Sequence, residues 1–182
     1  FLNIHTNLNI DRDTDELFKL LQNRVKLCRR IKKTFGSFLT KIGFKIDKTF
    51  TDLITLRFSP GKNKQSIGTL KPSKAHRDTW ASNLMNQINF WFPVHNVTKQ
   101  NSIYLATNYF KKKVKNNSKD WNFYDFKNKK NYPSVPTSKI LISPLDKTSF
   151  RLSKGEVLCF SGHHLHGSTI GNKNRMNLET RI

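Results

Sequence analysis

After Gly43 the chain breaks into seven short strand-like runs, and this repetition constrains the fold more than any other feature. The runs are residues 53–58 (LITLRF), 67–71 (IGTLK), 87–94 (QINFWFPV), 102–106 (SIYLA), 139–143 (KILIS), 155–161 (GEVLCFS) and 175–182 (RMNLETRI). Turn residues such as Pro60-Gly61, Pro72-Ser73 and Gly171-Asn172 separate several of them. Short alternating runs bounded by turn signals read as strands. Many of them behind a single helical pattern predict a mainly β fold, an antiparallel sandwich or barrel of the jelly-roll kind. A length of 182 residues makes one domain spanning 1–182 the expectation.

The helical pattern comes first. Asp13-Thr14-Asp15-Glu16 resembles a capping box, and Leu17, Leu20, Leu21, Cys28, Ile31, Phe35 and Phe38 follow at helical spacing. The spacing predicts one long amphipathic helix over 14–40 backing the sheet. Its other face carries Lys19, Arg24, Lys26, Arg29, Arg30, Lys32 and Lys33. Such a face suits either solvent or an anionic surface.

Residues 108–136 form an excursion rich in Lys and Asn that also holds Trp121, Phe123, Tyr124, Phe126 and Tyr132. Disordered linkers are poor in aromatic residues, so this segment is expected to fold over something, as a lid or as a packed surface excursion. Cys28 and Cys159 lack metal-type spacing and read as small buried hydrophobes. No run reaches the roughly 18 apolar residues of a membrane span. No charged-then-apolar leader opens the sequence, and the expected compartment is the cytoplasm.

The formal net charge is +21. A surface this basic attracts polyanions. The bias is also that of an AT-rich genome, with 24 Lys against 9 Arg and 19 Asn. Readers of nucleic acid prefer the arginine fork where bidentate geometry matters. Nucleic acid is therefore a possible partner but not the favoured one.

Four of the six histidines fall in two clusters, Ala75-His76-Arg77-Asp78 and Gly162-His163-His164-Leu165-His166-Gly167-Ser168. His76 and Asp78, two residues apart, share one face of an extended segment. A third ligand from a distant strand would complete two imidazoles and a carboxylate on one side of a metal, the set of non-haem Fe(II) oxygenases. Strand alternation puts His164 and His166 on the same face, so either could supply it. Nine residues after His166 comes Arg175, whose fork can hold a carboxylate end-on.

The segments HRDTW, NFWFPVHNVTKQNSIYLATNYF and GEVLCFSGHHLHGSTIGNKNRMNLETRI, in this order and spacing, resemble the phytanoyl-CoA-dioxygenase-like branch of the Fe(II)/2-oxoglutarate-dependent oxygenases over roughly residues 50–182. The resemblance implies a double-stranded β-helix, a cupin-like jelly roll. It implies that His76, Asp78 and His166 bind Fe(II), and that Arg175 and Ser168 hold the far carboxylate of 2-oxoglutarate beside Trp91. His164 then becomes a pocket-lining group. Gln87 and Asn89 share the strand face of Trp91 and point into the cavity. The interval from His166 to Arg175 is shorter than the commonest pattern in this branch, so Arg181, six residues on, could share the cosubstrate role.

The implied activity is O2-dependent oxidation of a small organic substrate, hydroxylation being the usual outcome, with 2-oxoglutarate converted to succinate and CO2. The carboxylate at position 78 speaks against halogenation. Two other readings compete. One is a non-redox, cupin-like metal protein, which has no use for a dicarboxylate clamp. The other is an oxygenase that modifies RNA or a ribosomal protein recruited by the basic surface. His95 and His5 read as surface residues.

Overall fold

The computed structural model describes residues 12–61, 70–129 and 132–182. Two antiparallel sheets face each other, with two helices packed on the outside of the larger one. In chain order the elements are α1 (Arg12–Leu27), α2 (Arg29–Lys41), β1 (Thr55–Ser59), α3 (Thr79–Ser82), β2 (Ile88–Pro93), β3 (Ile103–Leu105), α4 (Phe123–Asn128), β4 (Thr148–Ser149), β5 (Leu158–Ser161), β6 (His166–Ser168) and β7 (Arg175–Arg181). The larger sheet has the order β1-β7-β2-β5 and the smaller β4-β3-β6. Neighbours in these lists are distant in sequence, and the mainly β, jelly-roll architecture is the one the strand-like runs predict.

Strand alternation sorts the larger sheet into two faces. Outward, Leu56 and Phe58 of β1 pack on Phe18 of α1, while Phe90 of β2 packs on Phe35 and Leu39 of α2. Phe90 is ringed by Phe35, Phe38 and Phe44 at centroid distances of 5.4–6.3 Å, all edge-on. Inward, Trp91 and Phe160 meet Val97, Ile103 and Leu105 to form the core between the sheets. Each aromatic side chain so buried contributes about 1.5–3 kcal/mol.

The single helix expected over 14–40 is two helices. Cys28 is extended (φ −68°, ψ 106°) and starts α2 without a side-chain cap. An unbroken rod of that length runs to ~40 Å, against ~23 Å for β7, the longest strand at seven residues. The break lets each half follow the twisted sheet. It also changes the buried stripe: Phe18, Leu21 and Val25 face the sheet, whereas Leu17 and Leu20 are 64% and 62% exposed. Gln22 sits between them, its Nε2 donating to Leu56 O at 2.7 Å.

Other local expectations differ as well. Residues 139–143 form no strand, because Ile142 plugs a small core with Ala106, Val114 and Leu165 from an irregular segment while Leu141 stays 98% exposed. Cys28 is half-buried at the helix break, and Cys159 is exposed on the edge strand β5. His95 is half-buried and accepts from Met176 N–H at 3.1 Å. The run 67–71 lies mostly outside the described residues, as do His5 and the Asp13 and Thr14 side chains. Among the described residues, no helix is long and apolar enough to cross a membrane.

Candidate metal centre and its cavity

His76 and Asp78 lie on an extended segment that ends in the short helix α3, and His166 opens β6. An isolated antiparallel bridge joins His76 to His166 and brings their rings to 4.2 Å between centroids. Asp78 is anchored from the same side, its N–H donating to Gly162 O at 3.0 Å. His76, Asp78 and His166 are all buried, and they offer ligand atoms within 4.8 Å of one another. Asp78 Oδ1 is 3.6 Å from His76 Nε2, and Asp78 Oδ2 is 3.8 Å from His166 Nε2. Among the described residues, this is the one group of His, Cys, Asp and Glu side chains that could share a metal ion.

Hydrogen bonds fix both imidazoles for that task. His76 Nδ1 lies 2.7 Å from Lys74 O, and His166 Nδ1 lies 2.9 Å from His164 O. A carbonyl can only accept, so the proton sits on Nδ1 and the Nε2 lone pair faces the cluster. Burial, reinforced by the nearby His76, pushes the His166 imidazole down to about 4, so it is neutral near pH 7. Burial alone would raise the Asp78 carboxyl. Its interactions with His76, His166 and Arg181 outweigh burial and hold it below the ordinary carboxylate range. Two imidazoles with Nε2 turned to the cluster, facing one ionised carboxylate, form a donor set that fits a divalent metal with open positions.

The second half of the site is built on β7. Residues 175, 177, 179 and 181 alternate toward the interior, placing Arg175, Asn177, Glu179 and Arg181 on one face. Arg175 is buried, and its guanidinium lies 5.6 Å from the Trp91 ring centroid. Its Nη2 donates to Ser168 Oγ at 3.0 Å, its Nε to Asn177 Oδ1 at 3.2 Å, and its Nη1 to Ser102 O. Two of the five N–H groups are left to meet an anion. Burial pushes the guanidinium down to about 10, and it stays cationic at neutral pH. Arg181 is engaged differently: its Nε pairs with Asp52 Oδ2 at 2.7 Å, and its Nη1 lies 3.8 Å from Asp78 Oδ1.

His76, Asp78, His166, Arg175 and Trp91 line one cavity of about 610 Å³. Gln87 and Asn89 line it too, on the strand face shared with Trp91. From the 108–136 excursion, Trp121, Phe123 and Phe126 form part of its wall. Phe50, Leu53 and Leu84 line it while exposed, Phe50 at 93%. His164 turns elsewhere, its ring lying 4.5 Å from that of Phe110. His163 sits with Arg77 Nη1 at 3.1 Å and Thr79 Oγ1 at 3.3 Å.

Several cavity groups were not singled out from the sequence. Asp52 pairs with Arg181 across 129 residues of chain, and Arg57 Nε pairs with Glu179 Oε1 at 3.1 Å. The period-two polar face of the last strand was the available signal for Glu179. Nothing local marks Asp52.

No protein-family model and no curated protein matches the chain. Solved structures do. The crystal structure of EvdO2 from Micromonospora carbonacea var. aurantiaca matches with a TM-score of 0.57 at 8% identity, covering 97% of this chain and 65% of that one. The same protein complexed with 2-oxoglutarate matches at 0.56 and 8% identity, covering 94% and 64%. A weaker likeness, with a TM-score of 0.47 at 10% identity over 72% of this chain and 48% of that one, is to the epimerase SnoN in complex with Fe3+, alpha ketoglutarate and nogalamycin RO. At such identities the EvdO2 likeness shows a shared fold. The chain spans less than two thirds of the length of EvdO2.

Proposed function

We propose that this chain is an Fe(II)- and 2-oxoglutarate-dependent oxygenase that oxidises a small organic substrate with O2, with hydroxylation as the outcome. One observation carries the reading. The His76, Asp78 and His166 cluster and the buried Arg175 fork open on the same cavity, with Trp91 beside them. A metal protein without redox chemistry has no need of the second element. The order of the motifs resembles the phytanoyl-CoA-dioxygenase-like branch, and the shared fold with a protein crystallised with 2-oxoglutarate adds support.

In this reading His76, Asp78 and His166 hold Fe(II). Bound iron with 2-oxoglutarate supplies the oxidising power, O2 converting the keto acid to succinate and CO2 as a substrate carbon is oxidised. The chain itself binds, orients and excludes water. Arg175 and Ser168 take the far carboxylate by charge-assisted hydrogen bonds, and the Trp91 ring walls the carbon chain. Trp121, Phe123 and Phe126 close the outer wall as a lid and keep bulk water from the reacting groups.

The test is succinate formation. Purified protein with Fe(II), 2-oxoglutarate and O2 is expected to form succinate slowly without a prime substrate, and Asp78→Ala is expected to form none. Succinate formation that does not depend on iron would contradict the reading.

A further inference from the structure

Asn89 sits on the central strand β2, opposite Phe160 of β5 and Arg181 of β7, which leaves its backbone little freedom. Its side chain is buried and reaches the candidate metal centre: Nδ2 donates to Asp78 Oδ2 at 2.5 Å. The amide is itself held, since Gln87 Nε2 donates to Asn89 Oδ1 at 2.7 Å. With its oxygen accepting from Gln87, Asn89 must present its N–H to the carboxylate. Gln87 is fixed in turn by Gly162, whose N–H donates to Gln87 O at 2.8 Å and whose carbonyl accepts from Asp78 N–H at 3.0 Å. A Cβ at Gly162 would fall 2.7 Å from Gln87 Nε2, so the turn has to be glycine for this chain of amides to close.

The two oxygens of Asp78 are therefore unlike. Oδ2 is committed to Asn89, while Oδ1 lies 3.6 Å from His76 Nε2 and 3.8 Å from Arg181 Nη1, with no hydrogen bond of its own at that range. We propose that Asn89, held by Gln87, is a positioning residue that limits Asp78 to one ligating oxygen and so keeps open the metal position a chelating keto acid needs. A carboxylate free to rotate can take a metal through both oxygens, occupying a position that the 2-His-1-carboxylate arrangement otherwise leaves vacant. The inference rests on the metal-centre reading and assigns a role that neither the donor set nor the carboxylate clamp requires.

The test is a two-stage anaerobic titration: Co(II) first, followed by its visible absorption, then 2-oxoglutarate, in the wild type, Asn89→Leu and Gln87→Leu. Asn89→Leu keeps the branched shape of the side chain and removes the donor. It is expected to bind Co(II) as tightly as the wild type or more tightly, while its affinity for 2-oxoglutarate falls by ~10-fold or more. Gln87→Leu, which frees the Asn89 amide to turn, is expected to shift the same way by a smaller factor. A merely structural role would weaken both affinities together, and that result, or an unchanged 2-oxoglutarate affinity, overturns the proposal. If Asn89→Leu lacks a cooperative melt, Gln87→Leu decides by the same split. A wild-type chain that takes up no Co(II) overturns the metal-centre reading itself.

Discussion

His76 and His166, ninety positions apart in the sequence, exchange both of their backbone hydrogen bonds, N–H to C=O at 2.9 Å in each direction. Two residues that pair in this way in an antiparallel bridge project their side chains from the same face. The bridge thus brings the imidazoles together before any ligand does, and Asp78, two residues beyond His76, follows from the same extended segment. A long-range backbone pairing creates the site, and the side chains inherit its precision.

Asp78→Ala should leave the fold intact and remove the metal site. The carboxylate lies in the cavity and belongs to none of the apolar clusters. Circular dichroism is expected to be unchanged, while Co(II) affinity falls by at least ~100-fold, as loss of a ligand exceeds the usual cost of losing its supporting partners. Retained tight binding would place the metal elsewhere.

The two arginines of β7 should separate cleanly. Arg175→Lys keeps a charge and loses the fork, so the dissociation constant for 2-oxoglutarate should rise by roughly 10- to 100-fold. Arg181→Lys disturbs a half-exposed pair with Asp52 and should change it by less than about fivefold. Calorimetry on Mn(II)-loaded protein distinguishes them. The reverse ranking would move the clamp to Arg181.

Stability should fall on mild acidification. His166 titrates near 4 in the folded protein against 6.5 for the ordinary imidazole, so between these values the unfolded chain binds more protons than the folded one. Stability is then greatest above about 6.5 and declines as pH drops toward 4, by on the order of 3 kcal/mol for this group. Urea midpoints of the metal-free protein at pH 7.5 and pH 5 should show the decline, and His166→Gln should reduce it. An equal decline in that variant would place its origin in other groups.

Arg77, between two candidate ligands, should secure the start of the 108–136 excursion. Its Nη2 donates to the carbonyls of Tyr109 and of Lys112, the latter at 2.9 Å, while Nη1 meets His163. Arg77→Leu leaves these carbonyls without their donor and should cost roughly 2–4 kcal/mol. Hydrogen exchange is expected to accelerate in residues 107–113 first. Uniform acceleration across the chain would indicate a general structural role.

What could be read from the sequence depended on the range over which each signal acts. Alternation within strands identified the inward face of Gln87, Asn89 and Trp91, because a period of two survives any sheet topology. The histidine clusters and the family resemblance singled out His76, Asp78, His166 and Arg175, which the fold gathers around one cavity, and Ser168, which accepts a hydrogen bond from Arg175. The helix was legible as a pattern but not as two pieces. Nothing in the residues around Cys28 signals the break, and which of Leu17 and Phe18 faces the sheet depends on how the helix lies across β1. Residues 139–143 misled because a plug for a small core has the same composition as a strand. Local alternation left His164 and His166 on the same face; the family resemblance pointed to His166, and the structure pairs that residue with His76. Asp52 and Arg57 became visible only when the pairing of the segment around β1 with β7 was known.

The most direct test of the central claim is an anaerobic optical titration of Fe(II) and 2-oxoglutarate into the purified chain. A weak visible charge-transfer band that requires both components together and is absent in His76→Ala is the expected result. Iron binding with no band on adding 2-oxoglutarate, or a band that persists in His76→Ala, would contradict it.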